Sequence, residues 1–224
     1  MEEITQNDFF RFGFSVTAVV FGFDGEHIKV LLIERAKMPH KGEYALPSTL
    51  ITLEDEVDAS ADKMLVELLG KPIYRRQLRS FFDPERHPMG RVVTIPYYGM
   101  TDISEPTPIL PTEYASHAVW QSLDGLPELA FDHRNILDAA RRRLKVRIPF
   151  QLMGHHFLPK QFTMNHLLKL HETLLETELD KRNFSKKIIS MDLLKDTGIN
   201  VNNITGRPAR LYEFNQNYQE PTEI

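Results

Sequence analysis

The chain has 224 residues, of which 42% are hydrophobic and 10% aromatic, which is enough for two domains that each bury a core. The formal charge of −4 argues against a uniformly basic nucleic-acid binder, although the sum says nothing about local charge. The absence of cysteine excludes disulfides, thiolate nucleophiles and cysteine-ligated zinc. The sequence shows neither a basic n-region followed by an apolar run nor a stretch approaching about eighteen apolar residues. We therefore expect a soluble, cytoplasmic protein that does not enter the membrane.

The first half of the chain alternates predicted strands with one helix. Residues 14–24 and 27–35 are rich in valine, isoleucine, leucine and phenylalanine, and the Asp24-Gly25 turn between them predicts a β-hairpin. Apolar residues at helical spacing predict a helix over about 55–69. Further strands are expected near 75–82, 90–100 and 116–123, and a proline-rich loop over 105–111.

The second half begins with a helix over about 133–147, which ends in a run of basic residues. Prolines and a glycine follow in 148–160, so we place a domain boundary there, with one domain over 1–150 and the other over 151–224. Thr163 and Asp180 are expected to cap two further helices, with Phe184, Ile188 and Met191 inward on the second. A short β-like segment around Gly198 and Gly206 and a frayed polar tail after Phe214 complete the chain.

Positive charge is concentrated in the second predicted helix and the residues after it. Residues 181–212 hold seven basic and two acidic side chains, a local charge of 7 − 2 = +5. On that helix, Arg182 and Lys186 lie nearly opposite the apolar stripe. Lysine and arginine suit phosphates and guanine edges, and asparagine suits adenine, so this face fits a DNA groove. The alternatives are a merely solvated face and a contact with an acidic protein.

Tyr44-Ala45-Leu46-Pro47, followed by a helix that ends in Leu68-Leu69-Gly70, resembles the Nudix box of hydrolases that cleave substituted nucleoside diphosphates. The resemblance continues through Asp83-Pro84, through 90–93 and through 129–133, and covers about residues 12–147. It implies a Nudix-like α/β/α sandwich with a mixed sheet.

The box residues that bind magnesium in such hydrolases are largely replaced here. Alignment on Gly70 places Met64 and Leu68 at two glutamate positions and keeps Glu67, with Thr49, Asp55 and Lys63 at the other signature positions. Magnesium requires hard oxygen ligands, so we expect no hydrolysis, no metal and no cofactor. The retained Glu67 can also be interpreted as an ordinary solvated residue of the helix. The rival hypothesis for the whole chain is an active Nudix hydrolase.

Polar and aromatic residues near the expected ends of the strands are candidates for an effector site in the Nudix-like domain. Each of them also reads as an ordinary surface charge or core residue. They are Glu34, Arg35, His40, Lys41, Tyr44, Phe82, Asp83, Arg86 and Arg91. We expect no metal at His155 and His156, because adjacent side chains point in different directions and no carboxylate follows at ligand spacing.

Residues 180–187 together with 206–212 resemble the recognition helix and wing of the bacterial Nudix-related transcriptional regulators. The resemblance implies a winged helix-turn-helix after the Nudix-like domain, an α+β chain, and a homodimer that binds palindromic operator DNA as a repressor. A small molecule in the Nudix-like domain would release the DNA. A pentose, L-arabinose, is favoured because the box is eroded, which makes sugar catabolism the expected target, and ADP-ribose is the alternative effector. The residues expected to bind DNA are Lys181, Arg182, Asn183, Lys186, Lys187, Arg207 and Arg210.

Overall fold

The computed structural model describes residues 12–105, 109–147, 153–202 and 208–215, and the chain divides into two compact units. The first takes the described residues of Met1–Phe21, Val30–Met100 and Thr107–Arg141. The second takes those of Gly22–Lys29, Thr101–Pro106 and Arg142–Ile224. The predicted boundary at 150 and 151 lies outside the described residues.

The main sheet has seven strands. In chain order they are β1 (Gly13–Phe23), β2 (Ile28–Arg35), β3 (Tyr44–Ala45), β4 (Ser48–Ile51), β5 (Tyr74–Gln77), β6 (Val92–Asp102) and β7 (Ala115–Ser122). The spatial order is β3-β2-β1-β6-β5, with β4 paired to β1 and β7 paired to β2. The predicted hairpin is confirmed, because Gly25 adopts a φ of 100° in the turn and the Asp24 carboxylate accepts hydrogen bonds from the backbone N–H groups of Glu26 and His27.

Helix α1 (Val57–Leu69) packs its apolar stripe against this sheet. Ala61, Leu65 and Leu68 are at most 2% exposed and share one core cluster with residues of β1 and β2. Gly70 ends the helix in the left-handed conformation at a φ of 69°, where a side chain would be strained. The prediction of a helix ending at Gly70 is confirmed, with its start two residues later than expected.

The strand predicted over 75–82 is shorter than expected. β5 stops at Gln77, and pairing resumes only as an isolated bridge between Phe81 and Thr94. The β6 residue that faces Leu78 is Pro96. Its carbonyl accepts a hydrogen bond from the Leu78 N–H, but proline has no N–H with which to donate one in the other direction. The ladder is therefore interrupted at this point.

Helix α2 (His133–Arg147) follows the sheet and contains the point at which the first unit gives way to the second, between Arg141 and Arg142. Ile136, Leu137 and Ala140 are fully buried. Within the described ranges, no helix is long and apolar enough to span a membrane.

The part of the second unit described over 153–202 and 208–215 contains a 3-10 turn, two α-helices and a three-stranded sheet. The helices are α3 (Met164–Leu175) and α4 (Lys181–Ser190), and the strands are β8 (Phe162–Thr163), β9 (Leu194–Asn202) and β10 (Pro208–Phe214). The strand order is β8-β10-β9, and both pairs are antiparallel. Two helices followed by a β-hairpin that joins a short leading strand make a winged helix. The predicted α+β class and the predicted winged helix are both confirmed.

Both predicted helix caps are present in this unit. The Thr163 hydroxyl accepts a hydrogen bond from the His166 N–H, and the Asp180 carboxylate accepts one from the Asn183 N–H at 2.7 Å. The prediction that Met191 points inward is wrong: it lies beyond the last turn of α4 and is 49% exposed. The short β-like segment is instead two strands of nine and seven residues.

Candidate functional site

The first unit contains a cavity of about 620 Å³ beside the Nudix-box helix. Its walls are α1, the β4 segment and residues 110–115. This volume is within the usual range of small-molecule sites, about 300–1,000 Å³. The polar residues of the lining include Thr49, Asp55, Lys63, Glu67 and Glu113. The cavity therefore lies beside the residues that align with the Nudix box.

The box residues divide into two groups around this cavity. All four of these residues line the cavity, but Met64 and Leu68 belong to the hydrophobic core and are 7% and 2% exposed, whereas Lys63 and Glu67 are exposed. The Asp55 carboxylate accepts hydrogen bonds from the N–H and hydroxyl of Thr52, which lower its pKa. No cluster of three or more metal-binding side chains occurs in the described part of the chain.

A network of charged side chains holds α1 against the sheet. Arg75 on β5 donates hydrogen bonds to the carboxylates of Asp58 and Asp62, at 2.9 and 2.6 Å. The Tyr97 hydroxyl donates to Asp58 at 2.6 Å, which lowers the pKa of that carboxyl, and Asp62 raises the pKa of Arg75. The guanidinium of Arg75 also lies 4.6 Å from the Tyr97 ring centre. These contacts position the helix that forms one wall of the cavity.

None of the nine residues predicted for the effector site lines this cavity. Phe82, Asp83 and Lys41 are exposed, Tyr44 pairs with Glu34 between β3 and β2, and Arg91 lies over the Phe12 ring. Thr49, Asp55, Lys63 and Glu67 of the lining are positions of the aligned box, and this alignment was the signal that could have found them; residues 110–115 of the lining carried no such signal. The role of the nine residues in effector binding stays a prediction.

Two of the nine, together with His87, converge on Phe131; neither His87 nor Phe131 was among the predicted site residues. The His40 ring meets Phe131 edge-on at 4.6 Å, and the Arg35 guanidinium lies 4.8 Å from the Phe131 ring centre. His87 stacks on the same ring at 5.0 Å with 12° between the planes. Phe131 itself has a φ of 57°, a left-handed conformation that is uncommon for a bulky residue.

Buried polar contacts surround this ring at the start of α2. The Arg86 guanidinium donates a bidentate pair of hydrogen bonds to the Asp132 carboxylate, at 3.0 Å from Nε and 2.7 Å from Nη2. The buried His133 ring accepts a hydrogen bond from the Leu46 N–H through Nδ1 at 3.0 Å. Burial, reinforced by the charge of Arg86, lowers the pKa of His133 to about 3, and it lowers the pKa of His87 as well. Both imidazoles are therefore neutral at pH 7.

The side chains of His155 and His156 are arranged differently from the prediction. The rings of His155 and His156 do not diverge: they lie in a 3-10 turn with centroids 3.6 Å apart. A 3-10 turn rotates successive residues differently from an α-helix or a strand, the two conformations from which diverging side chains were predicted.

In the second unit, α4 presents one apolar and one basic face. Ile188 is 5% exposed, and the half-buried Phe184 ring meets His171 on α3 at 5.1 Å. The five α4 residues predicted to bind DNA are all exposed. They are Lys181, Arg182, Asn183, Lys186 and Lys187.

The predicted wing residues are placed differently from those of α4. Arg210 on β10 is exposed but forms an ion pair with Asp196 on β9, at 2.7 Å. Arg207 lies outside the described residues. The hairpin of β9 and β10 nevertheless confirms that a wing follows α4.

Comparison with known proteins matches part of the second unit to a known family. Residues 154–214 match the family described as the NrtR DNA-binding winged helix domain. Together with the fold, this match indicates a Nudix-like domain followed by a C-terminal winged helix, an arrangement similar to that of Shewanella oneidensis NrtR.

Individual relatives resemble most of the chain. The ADPR responsive transcriptional repressor NtrR of Acinetobacter baylyi is 29% identical over 206 residues, which are 89% of this chain and 81% of that protein. Shewanella oneidensis NrtR, solved in complex with a 27mer DNA, is 28% identical with a TM-score of 0.76, over 90% of this chain and 93% of that one. The Nudix domain of that protein, solved with ADP ribose, is 26% identical with a TM-score of 0.55, over 63% of this chain and 94% of that one.

Proposed function

We propose that this protein is a transcriptional repressor that binds operator DNA through α4 and releases it when ADP-ribose occupies the Nudix-like unit. The observation that carries the proposal is the exposed basic face of α4, opposite a packed face, within residues 154–214 that match a DNA-binding domain. We propose that it acts as a homodimer, because helix-turn-helix proteins place two recognition helices in successive major grooves about 34–36 Å apart.

Recognition of DNA by α4 follows from its side chains. Lys181, Lys186 and Lys187 suit phosphates, and Arg182 and Asn183 suit base edges near the N-terminal end of the helix. The cap at Asp180 fixes the first turn, so these side chains extend from an ordered helix.

The expectation of a pentose effector finds no support, and the comparisons favour the alternative, ADP-ribose. Two similar proteins are linked to this ligand. The Acinetobacter baylyi repressor is called ADPR responsive, and the Nudix domain of Shewanella oneidensis NrtR was solved in complex with ADP ribose. Replacement of the box glutamates by Met64 and Leu68 affects metal binding and does not select a sugar over a nucleotide, because a binding cavity needs only its walls and polar groups. Lys63 supplies a cation for a diphosphate, and the hydroxyl groups of the lining suit ribose.

The sensor is proposed to bind ADP-ribose without hydrolysing it. Catalysis in Nudix enzymes requires a carboxylate cluster that holds magnesium. Core packing of Met64 and Leu68 leaves Glu67 as the retained glutamate of the box. The protein is accordingly proposed to be a regulator and not an enzyme.

The test is a gel shift with the promoter region beside the gene. Wild-type protein should retard this DNA, ADP-ribose should release it, and L-arabinose should not. Arg182→Ala, Lys186→Ala double substitution should weaken binding at least tenfold, and Lys71→Ala, which removes an exposed charge from the first unit, should not. Failure of wild-type protein to bind any sequence selected from random DNA would reject the proposal.

A further inference from the structure

Helix α4 carries one large apolar side chain on its basic face. Ile189 is 58% exposed, although it belongs to a helix whose other outward residues are mostly charged or polar. At about 100° per residue, Ile189 lies about 20° from Arg182 and about 60° from Lys186 around the helix axis. The three residues form one line at spacings of four and three.

The core of the winged helix does not account for this side chain. The residues of α4 that pack inward are Ile188 and the half-buried Phe184, which contacts His171 of α3. Ile189 lies about 120° from the middle of that stripe. An exposed isoleucine adds nothing to the core, and it leaves apolar surface in water.

The small polar residues beside Ile189 have their hydroxyl groups engaged within the helix. Ser185 donates a hydrogen bond to the Lys181 carbonyl at 2.8 Å, and Ser190 donates one to the Lys187 carbonyl at 2.7 Å. The outward line of α4 therefore presents a guanidinium, an ammonium and a branched apolar group.

We propose that Ile189 determines part of the operator sequence by contacting the C5-methyl group of thymine in the major groove. Thymine is the base that offers an apolar group there, and a side chain on the same face as the base-binding Arg182 and the phosphate-binding Lys186 is brought against the base edges. This inference rests on the proposed DNA binding. It adds a residue that selects A·T over G·C pairs by apolar contact, whereas the basic residues supply charge.

The experiment begins with DNA duplexes that wild-type protein selects from a random pool. In the selected duplexes, each thymidine is then replaced in turn by deoxyuridine, which lacks only the methyl group. Wild-type protein should lose about threefold to tenfold in affinity at one thymine of each half-site. Ile189→Ala should bind the unmodified duplex correspondingly more weakly and show no further loss at that thymine. Ile189→Val, which removes one carbon, should lie between the two.

Met191→Ala is the matched control, because Met191 is similarly exposed but lies about 160° from Ile189 around the axis. It should keep the full response to deoxyuridine. Equal affinity for all deoxyuridine duplexes, or an undiminished response in Ile189→Ala, overturns the inference while leaving DNA binding intact. If wild-type protein selects no duplex from the random pool, both the inference and the proposed function are rejected. Circular dichroism of each variant verifies that it is folded.

Discussion

The guanidinium of Arg86 and the carboxylate of Asp132, 46 residues apart in the chain, form a bidentate ion pair with both side chains largely withdrawn from water. Their side chains are 3% and 15% exposed. Loss of one partner leaves a buried charge without its counter-ion, which is far more costly than loss of a surface pair. The pair joins the segment before β6 to the residue that precedes α2.

Arg86→Ala should therefore lower the free energy of unfolding by about 3–5 kcal/mol, measured by urea denaturation. Arg134→Ala removes the exposed pair with Asp138, at 3.5 Å, and should cost less than about 1 kcal/mol. The double substitution Arg86→Met, Asp132→Leu should be more stable than Arg86→Ala, because no charge remains buried. Equal stability of Arg86→Ala and Arg134→Ala would show that the buried pair does not stabilise the fold.

Acidification should destabilise the protein through His133. Its folded pKa is about 3, against an ordinary value of 6.5, so below pH 6.5 the unfolded chain binds a proton that the folded chain does not. Stability is fully present above pH 6.5 and should fall by about 1.4 kcal/mol per pH unit below it, to about 2 kcal/mol lost at pH 5. The lowered pKa values of His87 and His171 act in the same direction.

Urea midpoints between pH 8 and pH 5 measure this effect. His133→Gln removes the titrating ring and should flatten the pH dependence, even though it weakens the protein at pH 8. His117→Gln replaces an exposed histidine on β7 and should leave the pH dependence unchanged. An identical slope for wild type and His133→Gln would exclude His133 as its source.

Hydrolysis of ADP-ribose should be absent with magnesium present. Met64 and Leu68 are packed in the core, and their side chains offer magnesium no hard oxygen ligand. Chromatography of ADP-ribose incubated with purified protein tests this. Turnover that disappears in Glu67→Ala would establish an active site and contradict the expectation.

Salt dependence should distinguish phosphate contacts from base contacts on α4. Lys187→Ala should reduce the slope of log affinity against log salt by about 0.9 if the ammonium contacts one phosphate. Asn183→Ala, which removes no charge, should leave the slope unchanged and cost about 1–3 kcal/mol at the operator alone. If Lys187→Ala keeps the wild-type salt slope and Asn183→Ala keeps the wild-type operator affinity, the DNA interface lies elsewhere.

The parts of the fold that follow from local pattern were predictable from the sequence. The apolar spacing of Val57, Leu65 and Leu68 identified α1, and Thr163 and Asp180 identified the starts of α3 and α4. Caps and periodicity act within a few residues, so the chain itself encodes them.

Features that depend on distant parts of the chain were not predictable. Arg86 was expected in the effector site, and only the fold shows that it is paired with Asp132. The left-handed Phe131 and the cavity walls contributed by residues 110–115 leave no comparable local signal. For the same reason, the candidate effector residues were sought at strand ends, whereas the cavity lies beside α1.

The response to ADP-ribose should pass through the cavity beside α1. Lys63→Glu places a negative charge in the lining and should weaken ADP-ribose binding at least tenfold by calorimetry, because it repels the diphosphate. Lys71→Glu makes the same charge change at an exposed position that does not line the cavity and should bind as wild type does. Equal weakening in both variants would indicate that net charge, and not the cavity, governs binding.

The most direct test of a DNA-releasing sensor is the operator affinity of wild-type protein, measured by fluorescence anisotropy across a titration of ADP-ribose. Saturating ADP-ribose should weaken operator binding by about 5- to 150-fold, the usual range of coupling between two sites, and the operator should weaken ADP-ribose binding by the same factor. Operator affinity that does not change while calorimetry shows ADP-ribose bound would contradict the account.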